Sequence, residues 1–173
     1  MSLQLRQKLV EIARVNVGRV ESSRNQAPWI KPLWLSTSYG LEGYENREPY
    51  CAAGMCWALD QWTKIAAVRS AMGMTPVEIE GWRCKSAAVS GWYKWAVENK
   101  IQILPPSANM HTGDFIIYRY SHIEMFVDDS GPSSKTFTAI GYNTNAAGSR
   151  DGEGCAEKSR DRALVKYIIR VMD

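Results

Sequence analysis

The stretch REPYCAAGMCWALDQW, Arg47 to Trp62, sets a cysteine one residue after Pro-Tyr and directly in front of a run dense in Ala, Leu, Met and Trp. From Cys51 to about Ala67 few residues are polar, which predicts a helix buried on most faces and running through the centre of the domain. A helix N-terminus presents unpaired backbone N–H groups and a partial positive charge, and both favour thiolate over thiol. Cys51 therefore stands where a nucleophile belongs.

Upstream of that helix, apolar side chains at Leu5, Leu9, Ile12, Ala13 and Val17 recur at helical spacing, and Gly18 follows as a stop. From Gly18 to Tyr50 the chain is rich in Gly, Pro, Asn, Ser and aromatic residues, which predicts a long loop holding one short helix. Long ordered loops in compact domains are often functional. Downstream, a third helix is expected within Ser86–Lys100, and Pro105-Pro106 breaks the pattern. After Met110 the period changes to two: GDFIIYRY, HIEMFVDD, KTFTAIGYN and ALVKYIIRVM read as four strands separated by Gly, Ser, Asn and Pro. Helices first and antiparallel strands afterwards define an α+β fold, N-terminal helices packed on a sheet of about four to six strands. Residues 1–173 are expected to form a single domain.

With 45% hydrophobic and 23% charged residues the composition is ordinary for a globular chain, and it suggests neither disorder nor a fibrous repeat. The net charge of +3 is spread without a long Lys or Arg run; this argues against nucleic acid and suits an anionic polymer such as a bacterial cell wall. No transmembrane segment is expected. The opening MSLQLRQKLVEIARVNVG alternates charge with apolar residues and reads as an amphipathic helix, not a secretory signal. Cys51, Cys56, Cys84 and Cys155 match no CxxC spacing, so no metal site and no cofactor are expected. Cys56 reads as a small buried apolar residue, and whether Cys84 and Cys155 pair depends on the redox compartment.

Of the two histidines, His111 precedes a strand and reads as a loop residue, whereas His122 opens the second one. A cysteine at a helix start, a Gly-Asp-initiated strand, a histidine at the next strand's start and an Asn-rich strand end form the order that a Cys–His hydrolase on a papain-like half-barrel requires. A central helix must present sulfur to an imidazole on a facing sheet, and a third group orients the ring. Asn143 or Asn145 in IGYNTN supplies an amide oxygen for that task. Glu124, two residues beyond His122 on the same strand face, either touches the ring or lines the substrate groove.

These residues carry a resemblance. PYCAAGMCW resembles the segment around the nucleophile of CHAP-type cysteine amidase/peptidases, a papain-like, NlpC-related group. GDFIIYRYSHIEMFVDD and AIGYNTN resemble their histidine strand and Asn-containing strand. The likeness covers about Glu11 to Asn145. It implies Cys51 as nucleophile, His122 as base, Asn143 as the polar orienting group, and cleavage of an amide bond in peptidoglycan, within the stem peptide or between muramyl sugar and peptide. Two positions depart from the pattern: Ser121 replaces the usual Gly before the histidine, and Gly141 stands where an acidic residue is often found.

The expected chemistry is acyl transfer to sulfur, with the Cys51 backbone N–H as one oxyanion donor and Tyr50 as the second. Trp34, with Trp29, Tyr39 and Tyr44, lies in the loop before Cys51, where aromatic residues either pack that loop or wall a sugar or peptide site. The segment Asn143–Arg162 reads as a Gly-rich, charged, solvated hairpin connection; the alternative is that it folds over the cleft, where Arg150 or Arg162 meets a stem-peptide carboxylate. Two other readings use the same residues: a non-catalytic wall-binding module, and a Cys–His acyltransferase or deamidase. Without a recognisable signal peptide, such a chain is expected to be made in the cytoplasm. It would reach the wall after lysis, by injection or on a phage, with a delivery or immunity partner as a further expectation.

Overall fold

The computed structural model describes residues 3–131, 133–145 and 152–171. Among them lie seven α-helices, all preceding the sheet, and six strands joined antiparallel throughout. The first helix, α1 (Leu3–Arg14), buries Leu9, Val10 and Ala13 and passes into turns up to Val17. The long loop holds more order than expected: a 3-10 turn at Pro28–Ile30 continues into α2 (Lys31–Leu35), and α3 (Leu41–Glu45) follows. Pro28 and Pro32 sit at the first positions of their helical turns, where the missing N–H has no partner to lose.

The central helix is α4 (Cys51–Thr63), and its burial from Cys51 through Cys56 and again at Ala58, Leu59 and Trp62 matches its composition. It ends four residues earlier than expected because Ile65 turns extended, after which α5 (Ala66–Met72) begins as a separate helix. The sequence reading missed α6 (Pro76–Trp82), although Thr75 and Glu78 form a reciprocal capping box with Pro76 in the first turn. The third expected helix is α7 (Val89–Glu98).

The sheet runs β1 (Gln102–Leu104), β6 (Val165–Arg170), β2 (Phe115–Tyr118), β3 (Ile123–Asp129), β4 (Thr136–Thr144), β5 (Gly154–Asp161) in spatial order. The four expected strands are β2, β3, β4 and β6. The fifth, β5, replaces what reads as a solvated connection. Its polar residues, Glu157 to Asp161, sit on an edge strand paired along β4 from Gly154 to Asp161, so its backbone bonds are made while its sequence stays hydrophilic.

Alternation along the strands builds two cores. Phe115, Ile117, Ile123, Met125, Val127, Ile140 and Tyr142 face the helices and pack against α4 and α1. On the opposite face Ile116, Tyr118, Phe126, Phe137, Ala139, Val165 and Ile168 pack on one another. Among the described residues no α-helix belongs to that second cluster, and the sheet coils over it. In a flat sheet β5 and β6 would lie about 19 Å apart, four spacings of ~4.8 Å. Yet Asp161 is joined to Val165 through a single 3-10 turn, and four residues reach at most about 14 Å. The turn also bonds both sides, Arg162 N–H to Lys135 O at 2.9 Å and Arg119 N–H to Leu164 O at 3.0 Å, which closes the curl.

Candidate active site

Cys51 is the first residue of α4, after Tyr50 as N-cap, and no side chain caps the helix start. The uncapped first turn leaves its backbone donors and the positive end of the helix beside the sulfur. Gly54, one turn along, lies so close to the Tyr142 ring of β4 that no β-carbon fits between them, which sets α4 tightly on the sheet.

His122 stands just before β3, at the end of a tight hairpin. The Tyr118 N–H donates to His122 O at 3.0 Å, leaving Arg119, Tyr120 and Ser121 as the turn. Ser121 has φ 56°, the left-handed conformation that closes three-residue hairpins and that glycine adopts most readily. The serine thus keeps the backbone shape a glycine would supply. The imidazole is fully buried and lies between rings, stacked with Tyr120 at a centroid distance of 6.0 Å and tilted against Tyr118 at 5.9 Å.

His122 Nε2 lies 3.2 Å from Glu124 Oε1. The carboxylate also accepts from Tyr118 Oη at 2.8 Å, from Arg160 Nε at 2.8 Å on Oε2, and from Arg160 Nη2 at 2.9 Å on Oε1. With tyrosine and arginine donors on both oxygens, the carboxyl is an ionised acceptor, and Nε2 is the protonated nitrogen of the ring. Nδ1 then remains for Cys51, whose sulfur interacts with the imidazole. That contact is not closed into a hydrogen bond of standard geometry, as is common for catalytic pairs before substrate binds. Burial disfavours charge on the ring, but the Cys51 sulfur and the Glu124 carboxylate outweigh it and raise His122 to about 9. Burial likewise pushes Glu124 up, and His122 and Arg160 overcome it to hold the carboxylate at about 2.

The orienting contact expected of Asn143 is therefore made by Glu124. Asn143 occupies a bulge between Tyr142 and Thr144 at φ 51°, a left-handed position that asparagine tolerates well, and its backbone bonds to Tyr50 instead. The register explains why glutamate can take the role. Glu124 pairs across the strands with Gly141, and a β-carbon at 141 would collide with the Glu124 carboxylate. The missing acidic side chain on β4 leaves the space that a carboxylate from β3 fills.

Two further expectations change. Tyr50 is fully buried with its hydroxyl donated to Glu21 Oε1 at 2.9 Å, so its proton is committed away from an oxyanion. Glu124, also fully buried, stands behind the histidine and does not line a groove. Trp34 does: with Cys51, Ser121, Tyr39, Pro49 and Lys85 it borders a cleft of about 690 Å³, its own ring packed on Gly43. Arg162 is held by Asp129 and the carbonyls of Ser134 and Ala108, away from this cleft, and Arg150 lies outside the described residues. All four cysteines are free thiols; Cys84 lies against Cys56, whose thiol burial pushes up, and Cys155 sits in β5.

Sequence reasoning missed Tyr118 and Arg160. Tyr118 reads as one more strand aromatic, and Arg160 belongs to a segment without apolar alternation, so neither carries a local signal. No helix among the described residues is long and apolar enough to cross a membrane. Neither a family model nor a curated protein matches the chain.

Proposed function

We propose that this chain is a cysteine amidohydrolase of papain-like architecture acting on an amide bond of peptidoglycan. One observation carries the reading. A cysteine at the start of a buried helix meets a buried imidazole whose far nitrogen is held by an ionised carboxylate, at the edge of an open cleft. The resemblance of PYCAAGMCW and the histidine strand to CHAP-type enzymes, and the coiled sheet facing α4, support the same class.

In the proposed reaction His122 Nδ1 takes the Cys51 proton, and the thiolate attacks the amide carbonyl carbon. The Cys51 backbone N–H at the uncapped helix start donates to the developing oxyanion. The imidazolium then protonates the amine as the C–N bond breaks, leaving a thioester on Cys51. Water, deprotonated by the same Nδ1, attacks the thioester carbonyl carbon; the C–S bond breaks, the carboxylic acid leaves, and the imidazolium returns its proton to the Cys51 sulfur. Glu124 stays ionised throughout and steadies the imidazolium, as the carboxylate of a Ser-His-Asp triad does. The cleft has Trp34, Tyr39 and Pro49 as its apolar side, and Lys85 at its border is paired with Glu80 at 2.7 Å.

Digestion of purified peptidoglycan by wild-type and Cys51→Ala protein, with products identified by mass spectrometry, tests the reading. New amine termini from the wild type alone would support it and name the bond. Wall binding without products from either protein would overturn it in favour of a binding module. Amide exchange to an added amine in place of hydrolysis would identify a transferase.

A further inference from the structure

The carboxylate behind His122 is itself held from two strands away. Arg160 in β5 reaches across β4, over the position left empty by Gly141, and grips both oxygens of Glu124 at 2.8 and 2.9 Å. Its Nη2 also lies 3.3 Å from Thr144 Oγ1, and the residue is only 5% exposed. A buried arginine whose fork matches a buried carboxylate imposes one orientation and one charge state on it. Building on the Cys–His reading above, we propose that Arg160 is a positioning residue of this site, which acts on the reaction solely by keeping Glu124 ionised and aimed at His122 Nε2.

The surroundings of Glu124 leave this task to Arg160. Its titratable and charged neighbours are His122 on its own strand, Tyr118 on β2, Tyr120 in the hairpin turn, and Cys155 and Arg160 on β5; Cys51 of α4 lies beyond the imidazole. Arg160 is the one permanent cation among them. The tyrosine hydroxyl donates without charge, and His122 is a cation only while it holds the Cys51 proton or one from water. With Arg160 removed, burial, the largest influence on the carboxyl, favours its neutral form and is opposed only by His122 and the uncharged Tyr118 hydroxyl. A neutral Glu124 gives His122 no counter-charge, and the Cys51 thiolate loses its imidazolium partner.

The test is the rate at which iodoacetamide alkylates Cys51 across the pH range, located by peptide mass. It is read in wild type, His122→Ala, Arg160→Gln, Arg160→Lys, Glu124→Gln and the Glu124→Gln/Arg160→Gln double variant. Arg160→Gln is expected to move the acid limb of the profile upward by roughly one to three pH units, the usual effect of an opposite charge in contact. Arg160→Lys should fall between it and wild type, and Arg160→Gln should change nothing further in the Glu124→Gln background. An Arg160→Gln profile lowered by one factor at every pH, or an equal effect with and without the Glu124 carboxylate, would overturn the proposal. Should Arg160→Gln fail to fold, Arg160→Lys against wild type and the double variant against Glu124→Gln decide the matter. Indistinguishable profiles for wild type and His122→Ala would instead overturn the Cys–His reading, and the role of Arg160 with it.

Discussion

Ser121 holds His122 in place from a backbone conformation that costs an ordinary side chain roughly 1–2 kcal/mol. Ser121→Gly relieves that cost and loses part of the gain to greater freedom in the unfolded chain, so it should stabilise the protein by about 0.5–1 kcal/mol. Thermal unfolding would show a midpoint raised by a few degrees, and an unchanged or lower midpoint would refute this. Gly141 makes the opposite case. A methyl group there occupies the space of the Glu124 carboxylate, so Gly141→Ala should displace that carboxylate from His122 and, under the proposed function, lower peptidoglycan cleavage by about tenfold or more. Asn143 reads as the orienting amide, and the structure places it in a bulge of β4. Its local sequence carries no sign of that, because the orienting role rests on where the neighbouring strand sends Glu124.

At the scale of elements, the site depends on how closely α4 lies on the sheet. Gly54 faces the Tyr142 ring, whose hydroxyl donates to Ala13 O at 3.0 Å and accepts from Asn16 Nδ2 at 3.2 Å. One tyrosine therefore locks α4, β4 and the end of α1 together. Gly54→Ala should lift α4 away from β4, costing about 1–3 kcal/mol by overpacking. Because Cys51 rides on the same helix, kcat should fall on the order of 100-fold for a shift near 1 Å; urea unfolding together with cleavage rates would check both effects. The buried helix, the first helix and the four apolar strands were legible because each carries its own period. The edge strand β5 was not, since a polar strand on a sheet edge is stabilised by backbone pairing with β4 and leaves no apolar alternation to read.

Across the whole molecule, the pair His122 and Glu124 ties stability to pH. Glu124 is held at about 2 against an ordinary 4.5, so its contribution is complete above the unfolded value and is lost as pH falls toward 2. His122 is raised to about 9 from 6.5, so its contribution is complete below 6.5 and is lost as pH rises through 9. The free energy of unfolding in urea should therefore peak between about pH 5 and 6.5 and decline on both sides. Glu124→Gln should flatten the decline on both sides, since each residue's shift rests in part on the other. A profile unchanged by that substitution would mean that the buried pair does not govern it.

What the sequence by itself determined is that helices precede an antiparallel sheet, the cysteine at a buried helix start and the histidine at a strand start. These rest on period, turn residues and helix termini, all of which act over a few neighbouring positions. The identity of the third group, the commitment of Tyr50 to Glu21, and the grip of Arg160 on Glu124 were decided by the tertiary structure alone. Each depends on which side chains the coiling of the sheet brings together across strands that are far apart in the chain, and burial then leaves each polar group only the partners it meets there.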